Sequence, residues 1–287
     1  MKVGIIGTGS MGLSMVMRAI DAGLDVSVFN RTKAKLAPLS ETKAVICDSP
    51  SDVCKNSDII ILMLTDGKAI NEVILAESNV KMLQGKTFVQ MATIAPAESK
   101  EIQSKIVDAG GDYFEAPVLG SIPQVQSGTL IVMVGATEEQ FQKWLSLLKV
   151  FSPDPILVGA VGQAAATKLA MNQLIGSLTA AFSASLGLAI KSNVDTEIFM
   201  KIVRNSALYA STYDKKLDKM LQRDFGGANF STKHLLKDMK LFEQEASALG
   251  LNISAVKGVT EIIEATCNAG LSDVDYSSLF SAVNPES

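Results

Sequence analysis

The fold is decided at the start of the chain, in residues 1–31, MKVGIIGTGSMGLSMVMRAIDAGLDVSVFNR. An apolar run over residues 3–6 leads into Gly7, Gly9 and Gly12, which have the spacing G-x-G-x-x-G. A helical pattern follows, and after it comes a second apolar run. Strand, glycine turn, helix and strand form the context in which this spacing binds a dinucleotide, so we predict such a site here.

Each residue of the turn has an expected role at the pyrophosphate. Gly7 permits the tight turn, Gly9 lets the backbone approach the phosphates, and Gly12 lets the helix pack closely on the strand. Ser10 and Met11 begin the helix, whose free N–H groups and positive dipole end attract phosphate. A glycine-rich turn that binds no ligand is the simpler alternative.

The residues after the second apolar run indicate which dinucleotide binds. NAD sites usually place Asp or Glu there for the ribose hydroxyls, but this chain has Asn30, Arg31 and Thr32, and its next acid is Glu41. A guanidinium can hold a 2′-phosphate that a carboxylate would repel. We therefore favour NADP(H) over NAD(H). The alternative is that Arg31 is an ordinary solvated arginine.

Composition favours a soluble globular enzyme. The chain has 287 residues, 47% of them hydrophobic, and a net charge of −4, so nothing suggests a nucleic-acid partner. Cys47, Cys54 and Cys267 have no metal-like spacing, and we expect free thiols and no metal. The first strand begins without the charged region and cleavage site of a signal peptide. We therefore expect a cytoplasmic protein.

The pattern changes once along the chain. Residues 1–161 alternate short apolar runs with helical patterns, which predicts an α/β, Rossmann-type, doubly wound and mostly parallel sheet. Residues 162–287 show helical patterns only and predict an all-α domain begun by a long helix over 163–192. Its segment 169–190 is uncharged and long enough to span a bilayer. Because that segment contains several Ser, Thr, Asn and Gln residues, we expect a buried interdomain helix.

The ligand of a doubly wound sheet lies at the carboxyl ends of the strands. Leu64 and Thr65 follow one predicted strand and should border the adenosine side. Thr93 supplies a hydroxyl after the next strand. The Pro- and Gly-containing loop 117–121 follows a third strand, and its alternative role is a plain connection.

Lys168 is the strongest catalytic candidate, because it opens an otherwise uncharged helix and lies one turn before Asn172. Partial burial would tune such a lysine for acid–base work, whereas the alternative is a lysine whose ammonium reaches solvent. Lys237 and Asp238 fit an ordinary charged helix face. His234 has no partner in the sequence and is not expected to be catalytic.

Five segments together are similar to those of the β-hydroxyacid dehydrogenases, a 6-phosphogluconate dehydrogenase-like family of oxidoreductases. This family includes 3-hydroxyisobutyrate dehydrogenases, tartronate semialdehyde reductases and glyoxylate/succinic semialdehyde reductases. The segments cover nearly the whole chain: GTGSMG (7–12), ATIAP (92–96), EAPVLGS (115–121), GAVGQAAATKLAMNQL (159–174) and FSTKHLLKDMKL (230–241).

The resemblance implies roles for these residues. Lys168 would donate a proton to the substrate carbonyl, Asn172 would orient the substrate, and Thr93 would contact the nicotinamide and the substrate. Lys237 would reach the cofactor and Phe230 would line the pocket. The loop 117–121, with Leu119, Gly120 and Ser121, would hold the substrate carboxylate. A homodimer or homotetramer formed through the helical domain is also implied.

The loop departs from the family's usual Asp-Ala-Pro-Val-Ser-Gly-Gly. Glu115 replaces the acid, Leu119 replaces the serine, and Ser121 replaces the second glycine. Leu119 removes a hydroxyl donor, for which the Ser121 hydroxyl and the Gly120 N–H are the available substitutes. The usual Ser-Thr pair is here Ala92-Thr93, and Gln90 replaces the preceding acid. These changes bear on the substrate more than on the reaction.

The expected function is NADPH-dependent reduction of a small aldehyde or keto acid, of the glyoxylate or succinic semialdehyde type, with Lys168 as general acid. Leu119 motivates an alternative, an imine or apolar-carbonyl reductase on the same scaffold. A third possibility is an NADP-binding interaction protein without turnover.

Overall fold

The computed structural model describes residues 1–285. It divides into two compact units, Met1–Lys168 and Leu169–Ser287, which we call the N-terminal and C-terminal units. The division falls inside a long helix, α7 (Gln163–Lys191). The change from alternating to purely helical structure comes earlier, where α7 begins.

The N-terminal unit is built on a nine-stranded sheet within residues 2–159. The strands are β1 (Lys2–Ile6), β2 (Asp25–Phe29), β3 (Val45–Ile46), β4 (Ile59–Leu62), β5 (Thr87–Gln90), β6 (Asp112–Glu115), β7 (Val118–Leu119), β8 (Ile131–Gly135) and β9 (Ile156–Gly159).

The strand order is β3-β2-β1-β4-β5-β6-β8-β7, and β9 pairs with β8. The strands from β3 to β6 in this order are all parallel, while β8 runs antiparallel to β6 and β7. Central strands such as β4 are buried throughout, as expected of a sheet covered on both faces. The predicted α/β doubly wound fold is confirmed.

Helices cover both faces of this sheet. They are α1 (Ser10–Asp21), α2 (Pro50–Asn56), α3 (Gly67–Val73), α4 (Pro96–Asp108), α5 (Ile122–Ser127) and α6 (Glu138–Phe151). Two apolar cores result, one on each side of the sheet. The sequence pattern did not predict α3, α5 or β7, because segments of two to seven residues are too short to display a period.

The C-terminal unit is helical, as predicted. Besides the later part of α7 it contains α8 (Thr196–Arg204), α9 (Ser211–Gln222), α10 (Thr232–Ala248), α11 (Ser254–Thr266) and α12 (Leu279–Val283). Between residues 169 and 285 the only β pairing is an isolated bridge of Ser231 with Asp275.

By length and composition alone, α7 is long and apolar enough to cross a membrane. Within its apolar 18-residue stretch, 44% is buried inside the protein. Its polar residues Asn172, Thr179 and Ser183 are buried. Close approach to α10 depends on Gly176, because a Cβ there would lie 3.0 Å from the sulfur of Met239. This part of α7 therefore packs within the C-terminal unit as a core helix does.

Candidate functional site

The three glycines of the first turn are required for different reasons. Gly7 has a φ of +101°, and a Cβ there would overlap the backbone oxygen of Met63. A Cβ on Gly12 would overlap the backbone oxygen of Gly7. At Gly9, by contrast, a Cβ would meet nothing within 4 Å. Protein packing therefore does not explain the glycine at position 9, whereas a pyrophosphate close to the backbone does.

The start of α1 suits an anion. Ser10 is exposed at its first position, Met11 packs on the core, and the first turn contains no acidic residue. The buried hydroxyl of Thr8 has no hydrogen-bond partner among residues 1–285, which fits a polar ligand group at this turn. The residues present thus fit the phosphates of a dinucleotide.

Asn30 joins the glycine turn to the end of β2. Its Oδ1 accepts a hydrogen bond from the Thr8 N–H at 3.0 Å, and its Nδ2 donates to the Thr32 backbone oxygen at 2.9 Å. The amide thus shapes the turn. Hydrogen bonds from Asn30 or Thr32 to the 2′-phosphate of NADP(H) stay a prediction.

A surface cavity of about 430 Å³ lies at the carboxyl end of β2. Its lining includes Phe29, Asn30, Arg31, Lys33, Leu36, Ala37, Ser40, Ile46, Cys47 and Asp48. This is where the adenosine end of the cofactor is expected. Lys33 was not among the residues predicted to bind the cofactor. Its position two residues after Arg31 is a sequence feature that could have indicated it.

The charges around this cavity are exposed. The side chain of Arg31 is 79% exposed and lies 3.6 Å from the carboxylate of Glu72 on α3. Lys33 donates to Asp48 at 2.9 Å, also in solvent. Pairs of this kind contribute little to stability, so both cations can exchange their partners for a phosphate.

The loop after β4 borders the glycine turn. The side chain of Leu64 comes within 3.3 Å of an ideal Cβ on Gly7, and Thr65 follows it. Asp66 then caps α3 by accepting from the Ala69 N–H at 2.8 Å. Contact of Leu64 and Thr65 with the adenosine side of the cofactor stays a prediction.

The turn that carries Thr93 is shaped by Gln90. The buried Gln90 amide accepts from the Ala92 N–H at 2.5 Å and donates to the Ala92 oxygen at 2.9 Å. Two residues beyond Thr93, the Ala95 N–H donates to Glu98 at the start of α4. Side-chain contacts thus fix the backbone on both sides of Thr93.

The predicted substrate loop is partly closed on itself. Leu119 belongs to the short strand β7, and Gly120 follows it with a φ of +134°. The N–H and the hydroxyl of Ser121 both donate to Gln124 Oε1, at 2.9 and 2.7 Å. The hydroxyl that could have replaced the family's serine is thus used within the loop.

A buried carboxylate stands at the start of α7. Glu115, at the end of β6, is 1% exposed. Its Oε1 accepts from the N–H groups of Gly162 and Ala165 at 2.8 and 2.9 Å, and its Oε2 accepts from the Ser99 hydroxyl. Burial raises the pKa of Glu115, while Ser99 and the N–H groups oppose that rise. One turn after Ala165 comes Lys168, which is 9% exposed.

A second buried carboxylate lies in the C-terminal unit. Asn172 Nδ2 donates to Asp238 Oδ2 at 2.6 Å, and both residues are at most 3% exposed. Lys237 Nζ lies 3.1 Å from Asp238 Oδ1. The interpretation of Asp238 as part of an ordinary charged face is wrong. The available signal was its position one turn after Leu235 and next to Met239, both fully buried.

Phe230 precedes α10 and packs edge-on against Tyr276, with ring centroids 5.9 Å apart. Ser231 Oγ shares a hydrogen bond of 2.8 Å with His234 Nδ1. Burial lowers the pKa of His234, and the nearby Lys237 and Lys233 lower it further. The His234 contact is local, and the absence of a catalytic role for His234 stays a prediction.

Comparison with known proteins agrees with this geometry. Residues 2–162 match the family model described as the NAD binding domain of 6-phosphogluconate dehydrogenase. Residues 162–283 match a second model, the NAD-binding domain of NADP-dependent 3-hydroxyisobutyrate dehydrogenase.

The chain is also similar to whole enzymes. It is 31% identical to glyoxylate/succinic semialdehyde reductase 2 of Arabidopsis thaliana, over 98% of this chain and 79% of that protein. It is 31% identical to 2-hydroxy-3-oxopropionate reductase of Escherichia coli, over 99% and 97% of the two. The structure of 3-hydroxyisobutyrate dehydrogenase from Mycobacterium tuberculosis superposes with a TM-score of 0.89 at 20% identity, covering 98% of each chain.

Fold, glycine turn and relatives together define an NAD(P)-dependent oxidoreductase. The chain belongs to the β-hydroxyacid dehydrogenase family, whose members include hydroxyacid dehydrogenases and semialdehyde reductases.

Proposed function

We propose that this enzyme reduces a small aldehyde or keto acid, of the glyoxylate or succinic semialdehyde type, to the hydroxyacid, with NADPH as reductant and Lys168 as general acid. The observation that carries the proposal is the position of Lys168. It lies in the first turns of α7, nearly buried, and the start of that helix is bonded through Glu115 to the strand from which the substrate loop emerges.

The chain's own groups supply placement and a proton. When bound, NADPH provides the hydride for the carbonyl carbon. The Lys168 ammonium donates its proton to the carbonyl oxygen, which gains negative charge in the transition state. Asn172, held by Asp238, would orient the substrate, with its amide oxygen accepting from the hydroxyl that forms as the carbonyl is reduced. That oxygen has no hydrogen-bond partner among the described residues, which supports this role.

The charges at the end of β2 support NADPH over NADH. Arg31 and Lys33 line the cavity, and no carboxylate occupies the position that NAD sites use for the ribose hydroxyls. A guanidinium and an ammonium suit a 2′-phosphate. The second matching family model is named for an NADP-dependent enzyme, which also supports NADPH as the cofactor.

A second candidate is the reduction of imines or apolar carbonyls. Leu119 is apolar, and the Ser121 hydroxyl is committed to Gln124, so the loop offers a carboxylate fewer hydroxyl donors than the family pattern does. The names of the relatives favour small acids, and we rank the acid reductase first. An NADP-binding protein without turnover is the third candidate, which the nearly buried Lys168 disfavours.

We further propose a cytoplasmic homodimer or homotetramer. The helical unit exposes large apolar side chains on α7 and α8, which a second copy could cover: Leu174, Leu188, Ile198 and Ile202. Sedimentation of the purified protein would measure its mass in solution and so show whether it is a monomer, a dimer or a tetramer.

The substrate class is tested by following NADPH oxidation, with NADH alongside, on glyoxylate, succinic semialdehyde, methylglyoxal and a cyclic imine. Turnover of the two acids with NADPH preferred would support the first candidate. Turnover of the uncharged compounds alone would favour the second. NADPH binding without any turnover would favour the third.

The role of Lys168 is tested by Lys168→Ala, which removes the proton donor. We expect kcat to fall at least about a hundredfold, in line with general-acid contributions, while NADPH still binds. Lys191→Ala, at the exposed far end of the same helix, is the matched control and should keep full activity. Near-normal turnover of Lys168→Ala would contradict the proposed role.

A further inference from the structure

The start of α7 lacks an ordinary helix cap. Gly162 is the last residue before the helix, and its backbone oxygen accepts from the Ala166 N–H at 3.0 Å, as an N-cap residue does. A side chain is excluded there, because Gly162 has a φ of +98° and a Cβ would lie 2.5 Å from Lys100 Cε. The sequence therefore provides no local side chain for the first N–H groups of the helix.

A carboxylate from another part of the sheet takes that role. Glu115 Oε1 accepts from the N–H of Gly162 and from the N–H of Ala165, the third residue of the helix. The N–H of that third residue is one of those that an N-cap Ser or Asp would normally satisfy. Glu115 is thus a cap supplied through the tertiary structure, 47 residues away in sequence from Gly162.

The surroundings are built to hold this carboxylate. Ser99 on α4 donates its hydroxyl to Oε2, and Tyr113 OH lies 2.9 Å from Ser99 Oγ. Gly135 on β8 leaves room, since a Cβ there would lie 2.6 Å from Glu115 Oε1. A carboxyl group is costly to bury unless it is hydrogen-bonded, and these three donors offset that cost.

The position of Glu115 connects three parts of the proposed site. It pairs in register with Gln90, whose strand leads to Thr93, and it precedes the loop 117–121 by two residues. Through its hydrogen bonds to Gly162 and Ala165, Glu115 also holds the first turn of α7, one turn before Lys168. A shift of this cap would move the proton donor relative to Thr93 and to the substrate loop.

We propose that Glu115 is a positioning residue that fixes the first turn of α7 and thereby sets the place of the Lys168 ammonium. The inference rests on the proposed role of Lys168 as general acid. Glu115 touches neither substrate nor cofactor in this scheme; it acts through the helix. Because a misplacement of about 1 Å can cost about a hundredfold in rate, loss of the cap should appear in kcat.

The test is a double-mutant cycle of Glu115→Ala with Lys168→Ala. In each variant, kcat is calculated from the concentration of folded enzyme, measured as the concentration of NADPH-binding sites. Glu115→Ala alone should lower kcat about tenfold or more, with the NADPH Kd within about twofold of the wild type. In the Lys168→Ala background the same change should cost almost nothing further, because the group that it positions is gone. Equal losses in both backgrounds would overturn the inference.

Two further variants separate positioning from folding. Glu115→Gln has the same length and an oxygen that can accept both N–H groups, so it should restore kcat to within about threefold of the wild type. Tyr113→Phe removes a hydroxyl from the same network without touching α7, and should keep full kcat. A Glu115→Gln enzyme as slow as Glu115→Ala would refute positioning through these hydrogen bonds.

If Glu115→Ala does not fold, Ser99→Ala replaces it in the cycle. It withdraws one donor from the carboxylate and should lower kcat severalfold with Lys168 present and not at all without it. No loss in either background would overturn the inference. A wild-type kcat for Lys168→Ala alone would instead show that the proposed function has failed, which distinguishes the two outcomes.

Discussion

Two regions of the N-terminal unit handle charge in opposite ways. The nucleotide region, which we define as residues 7–12 with the cavity at the end of β2, depends on missing side chains and on cations exposed to solvent. The Lys168 region, which we define as Glu115, Ser99 and the first two turns of α7, depends on a buried carboxylate with three donors.

The difference predicts which property a substitution changes, either cofactor affinity or stability and kcat. The exposed groups of the nucleotide region, Gly9, Arg31 and Lys33, are in water before a ligand binds, so changing them should alter affinity and leave the fold intact. Groups in the Lys168 region satisfy one another in the folded chain, so removing one leaves the others buried without a partner. We expect the first region to respond in Kd, and the second in stability and kcat.

The largest effect on stability is expected for Glu115→Ala. It leaves the N–H groups of Gly162 and Ala165 without their acceptor, and should lower the free energy of unfolding by about 3 kcal/mol. Glu98→Ala is the matched control, because Glu98 caps α4 locally through Ala95 and should cost only about 1 kcal/mol. Urea denaturation measures both free energies of unfolding, and equal costs would show that the buried cap contributes no more than the local one.

The same variant should change how stability depends on pH. Burial raises the pKa of Glu115, so the folded chain binds this proton at a higher pH than the unfolded chain does. The stability that this group contributes is full below its ordinary pKa and declines as pH rises through the folded value. The gap in unfolding free energy between wild type and Glu115→Ala should therefore narrow as pH rises above the ordinary carboxyl pKa of about 4. A gap that widens would contradict the raised pKa.

A smaller effect, on affinity, is expected at the glycine turn. Gly9→Ala adds a methyl group where the protein has open space and φ is −64°, so the melting temperature without cofactor should not change. The NADPH Kd should rise at least about tenfold, because backbone and pyrophosphate can no longer approach closely. Gly12→Ala is the contrast, since its methyl would overlap the Gly7 carbonyl and destabilise the unliganded fold by about 1–3 kcal/mol. Calorimetry and thermal melts separate these outcomes.

The smallest effect, and the most selective, is expected for Arg31→Ala. The NADPH Kd should rise about tenfold with NADH binding unchanged, because only the 2′-phosphate loses a charged donor. Stability should stay constant, since the ion pair with Glu72 is exposed. Lys35→Ala, in the same segment but outside the cavity lining, serves as control. An equal loss for both cofactors would remove Arg31 from the phosphate site.

Much of the nucleotide region was readable from the sequence, because its elements are adjacent along the chain. The glycine spacing, the start of α1 and the cations after β2 all lie within residues 3–33. The prediction that Leu64 and Thr65 border the adenosine side followed from the rule that the ligand lies at the carboxyl ends of the parallel strands. Phe29 and Ile46 were not predicted as cavity residues, since their meeting depends on the pairing of β2 with β3.

The buried polar contacts were not readable. Glu115 looked like a conservative change in a loop motif, and Asp238 looked like half of a surface ion pair. Nothing local in the sequence tells which N–H groups a carboxylate will meet 47 or more residues away. The same holds for Ser121, because the sequence does not show that its hydroxyl donates to Gln124.

By itself, the sequence determined the fold class, the dinucleotide turn and the identity of the reactive lysine candidate. Hydrophobic periodicity and glycine spacing are local properties, and they act on the chain before any long-range contact forms. Only the tertiary structure decided that Glu115 caps α7 and that Asp238 holds Asn172. Partners for buried charges are chosen by the packing of distant segments, because each buried donor and acceptor must be satisfied by whatever the fold brings next to it.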